Sequence, residues 1–146
     1  MELALGREVP EPTGQHTLSF SLTNRAKRAC SVFGYPSVAL LNPAGQELPF
    51  VYQRSGDQVV TSQPPQRAEL QPGDTAYLTI NKYRCDLGDQ DQAKIVELSL
   101  PGNALRLQVV LPPTAMSFAY CGPGDPGSTV SVSPLSATFG DTLAFH

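Results

Sequence analysis

A period-two alternation of apolar residues, broken at short intervals by proline and glycine, constrains this chain more than any other feature. "HTLSFSLTN" sets Leu18, Phe20 and Leu22 against Thr17, Ser19, Ser21 and Thr23. "TAYLTIN" sets Ala76, Leu78 and Ile80 against Tyr77, Thr79 and Asn81. Successive side chains of a strand point to opposite sides, so each apolar set lies on one face of a β-strand. The spacing recurs at Leu3 and Leu5, at Val96, Leu98 and Leu100, at Leu105, Leu107, Val109 and Leu111, and at Val130 and Val132. "YPSVALLN" is more continuously apolar, as expected of a strand covered on both sides. "ELPFVYQ" is short, and Pro49 moves its start to an edge or a bulge.

The fourteen prolines and twelve glycines fall between these stretches. They mark turns rather than a disordered segment. "QPGD" after Leu70 is a turn signal, and "PGN" at 101–103 joins two runs as a tight hairpin. The polar segment 82–93, "KYRCDLGDQDQA", is expected to be a loop. In the long connection 112–128, "CGPGDPG" holds too much proline and glycine for regular structure. The pattern predicts an all-β fold with about 8–9 short strands and little helix, an immunoglobulin-like antiparallel β-sandwich. Facing sheets in such a fold bury their apolar sides about 10 Å apart. Residues 1–133 are expected to form the single domain. Residues 134–146 form a tail with Leu135, Phe139, Leu143 and Phe145, packing on the domain or on a neighbour.

No apolar run is long enough for a membrane helix. "MELALGREV" alternates like a strand rather than reading as a signal peptide. The net charge of −3 and the pI of about 5.2 argue against a general nucleic-acid or anionic-membrane binder. Arg25, Lys27 and Arg28 form one local basic cluster, read as a solvated turn and, with Tyr83 and Asp86, as candidate surface.

Catalytic and cofactor motifs are missing. There is no GxSxG, HExxH, P-loop or dinucleotide fingerprint. Asp86, Asp89 and Asp91 lack the spacing and the distal Glu of a calcium loop. No CxxC pair exists, which excludes a zinc ribbon or thioredoxin-like motif, and with none of these motifs present no metal site or cofactor is expected. Cys121 with His16 is the one thiol–base combination worth weighing; the other histidine is the terminal His146. Tyr52, Tyr77 and Tyr83 would suit a sugar or protein surface if they face outward, but a sugar platform commonly uses tryptophan and none is present. Asn24 is expected to be a turn residue bonding its own backbone. Tyr35, before Pro36, is expected to pack over one end of the sandwich.

Cys30, Cys85 and Cys121 each sit in or beside a loop. That placement favours a structural tie over buried free thiols, and a tie implies an oxidising compartment. A Cys30–Cys85 bridge would close a loop of roughly 55 residues, worth about 4 kcal/mol in the chain-entropy model. Three cysteines leave the connectivity open.

Taken together, "SLTNRAKRACSVFGYPSVALLNPAGQEL", "LQPGDTAYLTI" and the two later cysteines resemble the domain of unknown function 4232. The likeness spans roughly residues 2–133. Thr23 and Asn24 match a Thr-Asn pair. Cys30 with Gly34, Tyr35 and Pro36 matches a Cys/Gly-Tyr-Pro element. Leu70, Pro72 and Gly73 match a turn, and Cys85 and Cys121 match the last two cysteines. A family cysteine expected just before Glu2 is missing. The resemblance implies a β-sandwich exported by actinobacteria, often as a lipoprotein with an anchor upstream. It implies that Cys30 pairs with Cys85 and that Cys121, partner of the missing cysteine, is unpaired here; pairing of Cys85 with Cys121 is the rival. The expected function is a non-enzymatic extracytoplasmic interaction module whose partner is an unknown protein or a cell-wall polymer. The alternatives are a carbohydrate-binding module and a thiol-dependent enzyme or accessory domain.

Overall fold

A computed structural model describes residues 1–113 and 118–145. His146 and part of the long connection 112–128 lie outside the described residues. The fold is all-β. Its largest sheet has the order β1 (Glu2–Leu5), β2 (Gln15–Thr23), β7 (Thr75–Tyr83), β12 (Thr129–Val132) and β5 (Val51–Gln53). A second sheet orders β10 (Arg106–Val110), β9 (Ile95–Ser99) and β4 (Ser37–Leu41). All neighbours in both are antiparallel except β12 and β5. Two short ladders complete the fold. One pairs β3 (Cys30–Val32) with β6 (Ala68–Leu70), the other β8 (Asp91–Gln92) with β11 (Ala119–Tyr120). These short strands lie in segments too brief to show a period, so the alternation predicts fewer strands than form.

The alternation predicts the inner faces of β2 and β7 correctly, whereas Leu105, expected in the alternating run of β10, precedes that strand and is exposed. Leu18, Phe20 and Leu22 of β2 and Ala76, Leu78 and Ile80 of β7 are all buried in one core with Leu40, Val96 and Leu98 of the opposite sheet. Burying one such side chain contributes roughly 1.5–3 kcal/mol, so this shared core holds the two layers together.

The outer face of β2 and β7 is polar yet largely covered, and only Tyr83 at its end is exposed. Asn81 accepts a hydrogen bond from the Thr17 hydroxyl at 2.6 Å and donates to Gln15 at 2.8 Å and to Asp57 at 2.9 Å. Thr79 and Thr142 share a hydroxyl contact at 2.7 Å. The C-terminal tail crosses this face. Ser136 exchanges backbone hydrogen bonds with Tyr77, and Leu143 packs with Val9 and Val59 in a second small apolar cluster.

The register of β2 on β7 defines two poles. Gln15 lies opposite Tyr83 at one end, and Thr23 opposite Thr75 at the other. A strand rises about 3.3 Å per residue, which puts these ends about 26 Å apart. The register corrects the expected cysteine pairing. Cys30 pairs with Leu70 in the ladder of β3 and β6, and the chain beyond Leu70 turns into the Thr75 end of β7. Cys85 follows the Tyr83 end. Disulfides need Cα atoms within about 7 Å, so Cys30 cannot reach Cys85. Cys85 is bonded to Cys121 instead, with Cα atoms 5.4 Å apart, and Cys30 is free.

The expectation that a cysteine before Glu2 would pair with Cys121 fails for the same reason. β1 and β12 are not neighbours, because β2 and β7 lie between them. Glu2 stands opposite Thr23, so the chain just before it lies at the Cys30 pole. Met1 and Cys30 line the same cleft there.

Candidate functional site

At the disulfide pole, β7 runs out into the loop that carries Cys85, Asp86 and Leu87. The bond to Cys121 holds the start of this loop. The Asp125 carboxylate holds its next turn, accepting from the backbone N–H of Asp86 at 3.1 Å and of Leu87 at 3.0 Å. It also accepts from Gly127 at 2.8 Å, capping the short 3-10 turn Pro126–Ser128. "GDPG" encodes this locally: an Asp cap, then a proline whose missing N–H is no loss at a helix start. Gly127 is required, since a Cβ there would lie 2.6 Å from Cys121 Sγ.

Burial works to raise the Asp125 pKa, but the three backbone N–H donors and the Lys82 ammonium outweigh it and hold the carboxyl below the usual carboxylate range. Lys82 lies on the core-facing side of β7, and its Nζ donates to the Tyr83 carbonyl at 2.8 Å. Burial pushes its pKa down, against the pull of Asp89 and Asp125. His16, beside Lys82 in register, also has a lowered pKa. Burial and the Lys82 charge lower it, and Glu11 and Asp89 oppose them. A neutral imidazole could act as a base, but Cys121 has no thiol to offer it. The Cys121–His16 combination is thereby removed as a nucleophile and base.

The braced loop ends in exposed residues. Leu87 is 85% exposed, with Asp86, Asp89 and Asp91 around it also exposed. Tyr83 is 40% exposed, with the Arg84 guanidinium 5.9 Å from its ring centre. Sequence reasoning names Tyr83 and Asp86 here but misses Leu87 and Asp125. The signals are a lone apolar residue inside "CDLGDQDQ" and an Asp directly before proline.

The Cys30 pole is built differently. Asn24 is buried; its amide donates to the carbonyls of Arg28 and Leu70 at 2.8 and 3.0 Å, and its side-chain oxygen accepts from Ala26 N–H at 3.0 Å. Asn24 thus bonds its own turn, as expected, and also ties that turn to the Leu70 strand. Gly73, after Pro72, donates its N–H to the Asn24 carbonyl at 2.7 Å and takes φ +89°, a value that favours glycine. Gly34 passes its carbonyl to Leu135 N–H, fastening the tail. Tyr35 covers this region with Arg54, whose guanidinium lies 5.0 Å from the ring centre, and Pro36 behind it is buried.

Between these turns and the β9–β10 hairpin opens a cleft of about 280 Å³. Met1, Val32, Phe33, Leu100 and Pro101 give it apolar walls, and Phe33 is 57% exposed at its mouth. Arg25 pairs with Glu2 at 2.9 Å. Lys27 and Arg28 are exposed and make no ion pair among the described residues.

Tyr52 and Tyr77 do not form an outward aromatic surface with Tyr83. The Tyr52 hydroxyl accepts from Leu40 N–H at 3.0 Å, and burial raises its pKa to about 12. Tyr77 meets Phe139 of the covering tail edge-on, with ring centroids 6.4 Å apart. Among the described residues no three His, Cys, Asp or Glu side chains converge as metal ligands, and no helix is long and apolar enough to cross a membrane.

Compared with known proteins, residues 2–138 match the family model described as a domain of unknown function, DUF4232. No curated protein and no solved structure matches the chain.

Proposed function

Given that the chain belongs to the DUF4232 family, we propose that it is a non-enzymatic extracytoplasmic interaction module of an actinobacterial cell envelope, binding protein through the poles of its sandwich. One observation carries this reading: the Cys85–Cys121 bond and the Asp125 carboxylate fix the backbone beneath an 85%-exposed leucine. Presenting an apolar side chain on pre-ordered backbone lowers the entropy cost of binding. The same disulfide supports an oxidising compartment. A carbohydrate platform is less well supported, because two of the three tyrosines that would form it face inward or are covered.

The test is site-specific photo-crosslinking on intact cells, with the photoreactive residue at position 87 or 33 and a control at the exposed position 46. The reading predicts discrete protein adducts from the poles and none from the control. Adducts to polysaccharide alone, or no adducts from either pole, would contradict it.

A further inference from the structure

We propose that the leucine-tipped acidic loop of one copy docks into the cleft beside the basic turn of a second copy, in a head-to-tail contact. The two surfaces are complementary in charge. Leu87 projects from a loop with Asp86, Asp89 and Asp91 around it; Arg84 is the one exposed cation in the same segment. The cleft at the other pole has apolar walls that include Phe33 and Pro101 next to polar Asn24, Ser31 and Asn103. The exposed Lys27 and Arg28, which make no ion pair among the described residues, lie in the turn between its lining residues Ala26 and Cys30. Its volume of about 280 Å³ exceeds the roughly 150 Å³ that accepts a benzene ring, so it has room for an isobutyl group.

Cleft and tip sit at opposite ends of β7 and cannot meet within one chain. A head-to-tail contact leaves each copy with one free tip and one free cleft, so association continues into chains or rings, whereas two antiparallel copies that exchanged both would close as a dimer. A wild type that stops at dimer would overturn the head-to-tail arrangement. The tip is ordered before it binds, since Asp125 and the disulfide fix its backbone. This inference rests on the interaction-module reading and names a second copy of the chain as the partner.

The experiment is sedimentation velocity of the oxidised protein over concentrations up to about 1 mM, because small interfaces belong to the weak class. Two variants are run alone and mixed: Leu87→Asp, which spoils the tip, and Lys27→Glu/Arg28→Glu, which spoils the rim. All three changes fall on exposed side chains, and circular dichroism verifies folding. The wild type should grow past dimer with concentration, and each variant alone should stay monomeric. Their equimolar mixture should form a one-to-one dimer and stop, since one partner retains the cleft and the other the tip. A monomeric wild type would overturn self-docking, as would a variant that still associates or a mixture that stays monomeric. A monomeric wild type that binds anionic vesicles through Lys27 and Arg28 would assign the cleft to lipid, again against the proposal. Position-specific protein crosslinks on cells would leave the module reading standing in any of these cases.

Discussion

The two poles of this sandwich are fastened by different chemistry. At one end a covalent bond joins Cys85 to Cys121, and a buried carboxylate collects backbone N–H groups. At the other, Cys30 is free and a single amide, Asn24, knits the turns together. The covalent pole ends in an acidic tip, the amide pole in a cleft next to a basic turn whose Lys27 and Arg28 make no ion pair among the described residues. The disulfide ties the exposed loop that follows β7 to the buried Cys121, and this allows a short loop to hold Leu87 in water. The amide pole needs no such restraint, because Val32, Leu70 and Leu100 already anchor its turns in the core.

The comparison is broken most forcefully at the cysteines. Cys121→Ser should cost about 2–5 kcal/mol in chemical unfolding of the oxidised protein, the usual range for a native disulfide. Cys30→Ser, at a half-buried free thiol, should cost under about 1 kcal/mol. Equal losses would remove the contrast between the poles.

Asn24→Ala comes next. It leaves two carbonyls and one N–H without their partner, the Leu70 carbonyl in a buried setting and the other two groups partly buried. Each such group costs about 1–3 kcal/mol when water cannot replace the bond, so a loss of about 2 kcal/mol is expected. A variant as stable as wild type would mean that the Cys30 pole is held by its apolar anchors alone.

Acid separates the poles without mutation of the cysteines. The folded pKa of Asp125 lies below its unfolded value. Its stabilising contribution is therefore complete above the ordinary carboxylate pKa of about 4 and is lost as pH falls through the depressed folded value. His16 works in the same direction at higher pH. Its pKa is lowered on folding, so below about 6.5 the unfolded chain takes up the proton first. Both groups belong to the disulfide pole. Hydrogen exchange should show the loop at 85–90 opening in acid before the Asn24 turn does, and Asp125→Asn should reduce that pH dependence. Simultaneous opening of both regions would contradict the assignment.

The smallest effects are expected at the rim. Lys27→Ala and Arg28→Ala should each change stability by no more than about 0.5 kcal/mol, as exposed side chains with no ion pair among the described residues do. A larger loss would reveal a structural role for the basic turn.

How much of this the sequence carried depends on the face in question. Leu18, Phe20 and Leu22, or Ala76, Leu78 and Ile80, declare an inner face by spacing alone. Thr17, Ser19, Thr79 and Asn81 read as a solvent face, yet the tail reaches Thr79, the loop at Asp57 reaches Asn81, Thr17 bonds Asn81 and Gly6 packs on Ser19. The clue is that these positions are uncharged, where an exposed face usually carries lysine or glutamate. The pairing of the cysteines was not legible. It depends on which strand ends share a pole, and that follows from the register of β2 on β7 and of β3 on β6. Asn24 and the Pro72–Gly73 turn were legible because both obey local rules, whereas Asp125 reaches across 38 residues to Leu87.

The central claim is that covalent restraint lies at the acidic pole and not at the cleft. Peptide mapping of the unreduced, alkylated protein tests it most directly. The account predicts one linked pair of peptides holding Cys85 and Cys121, with the alkyl label on Cys30. A linked pair containing Cys30 and Cys85, or a label on Cys121, would contradict it.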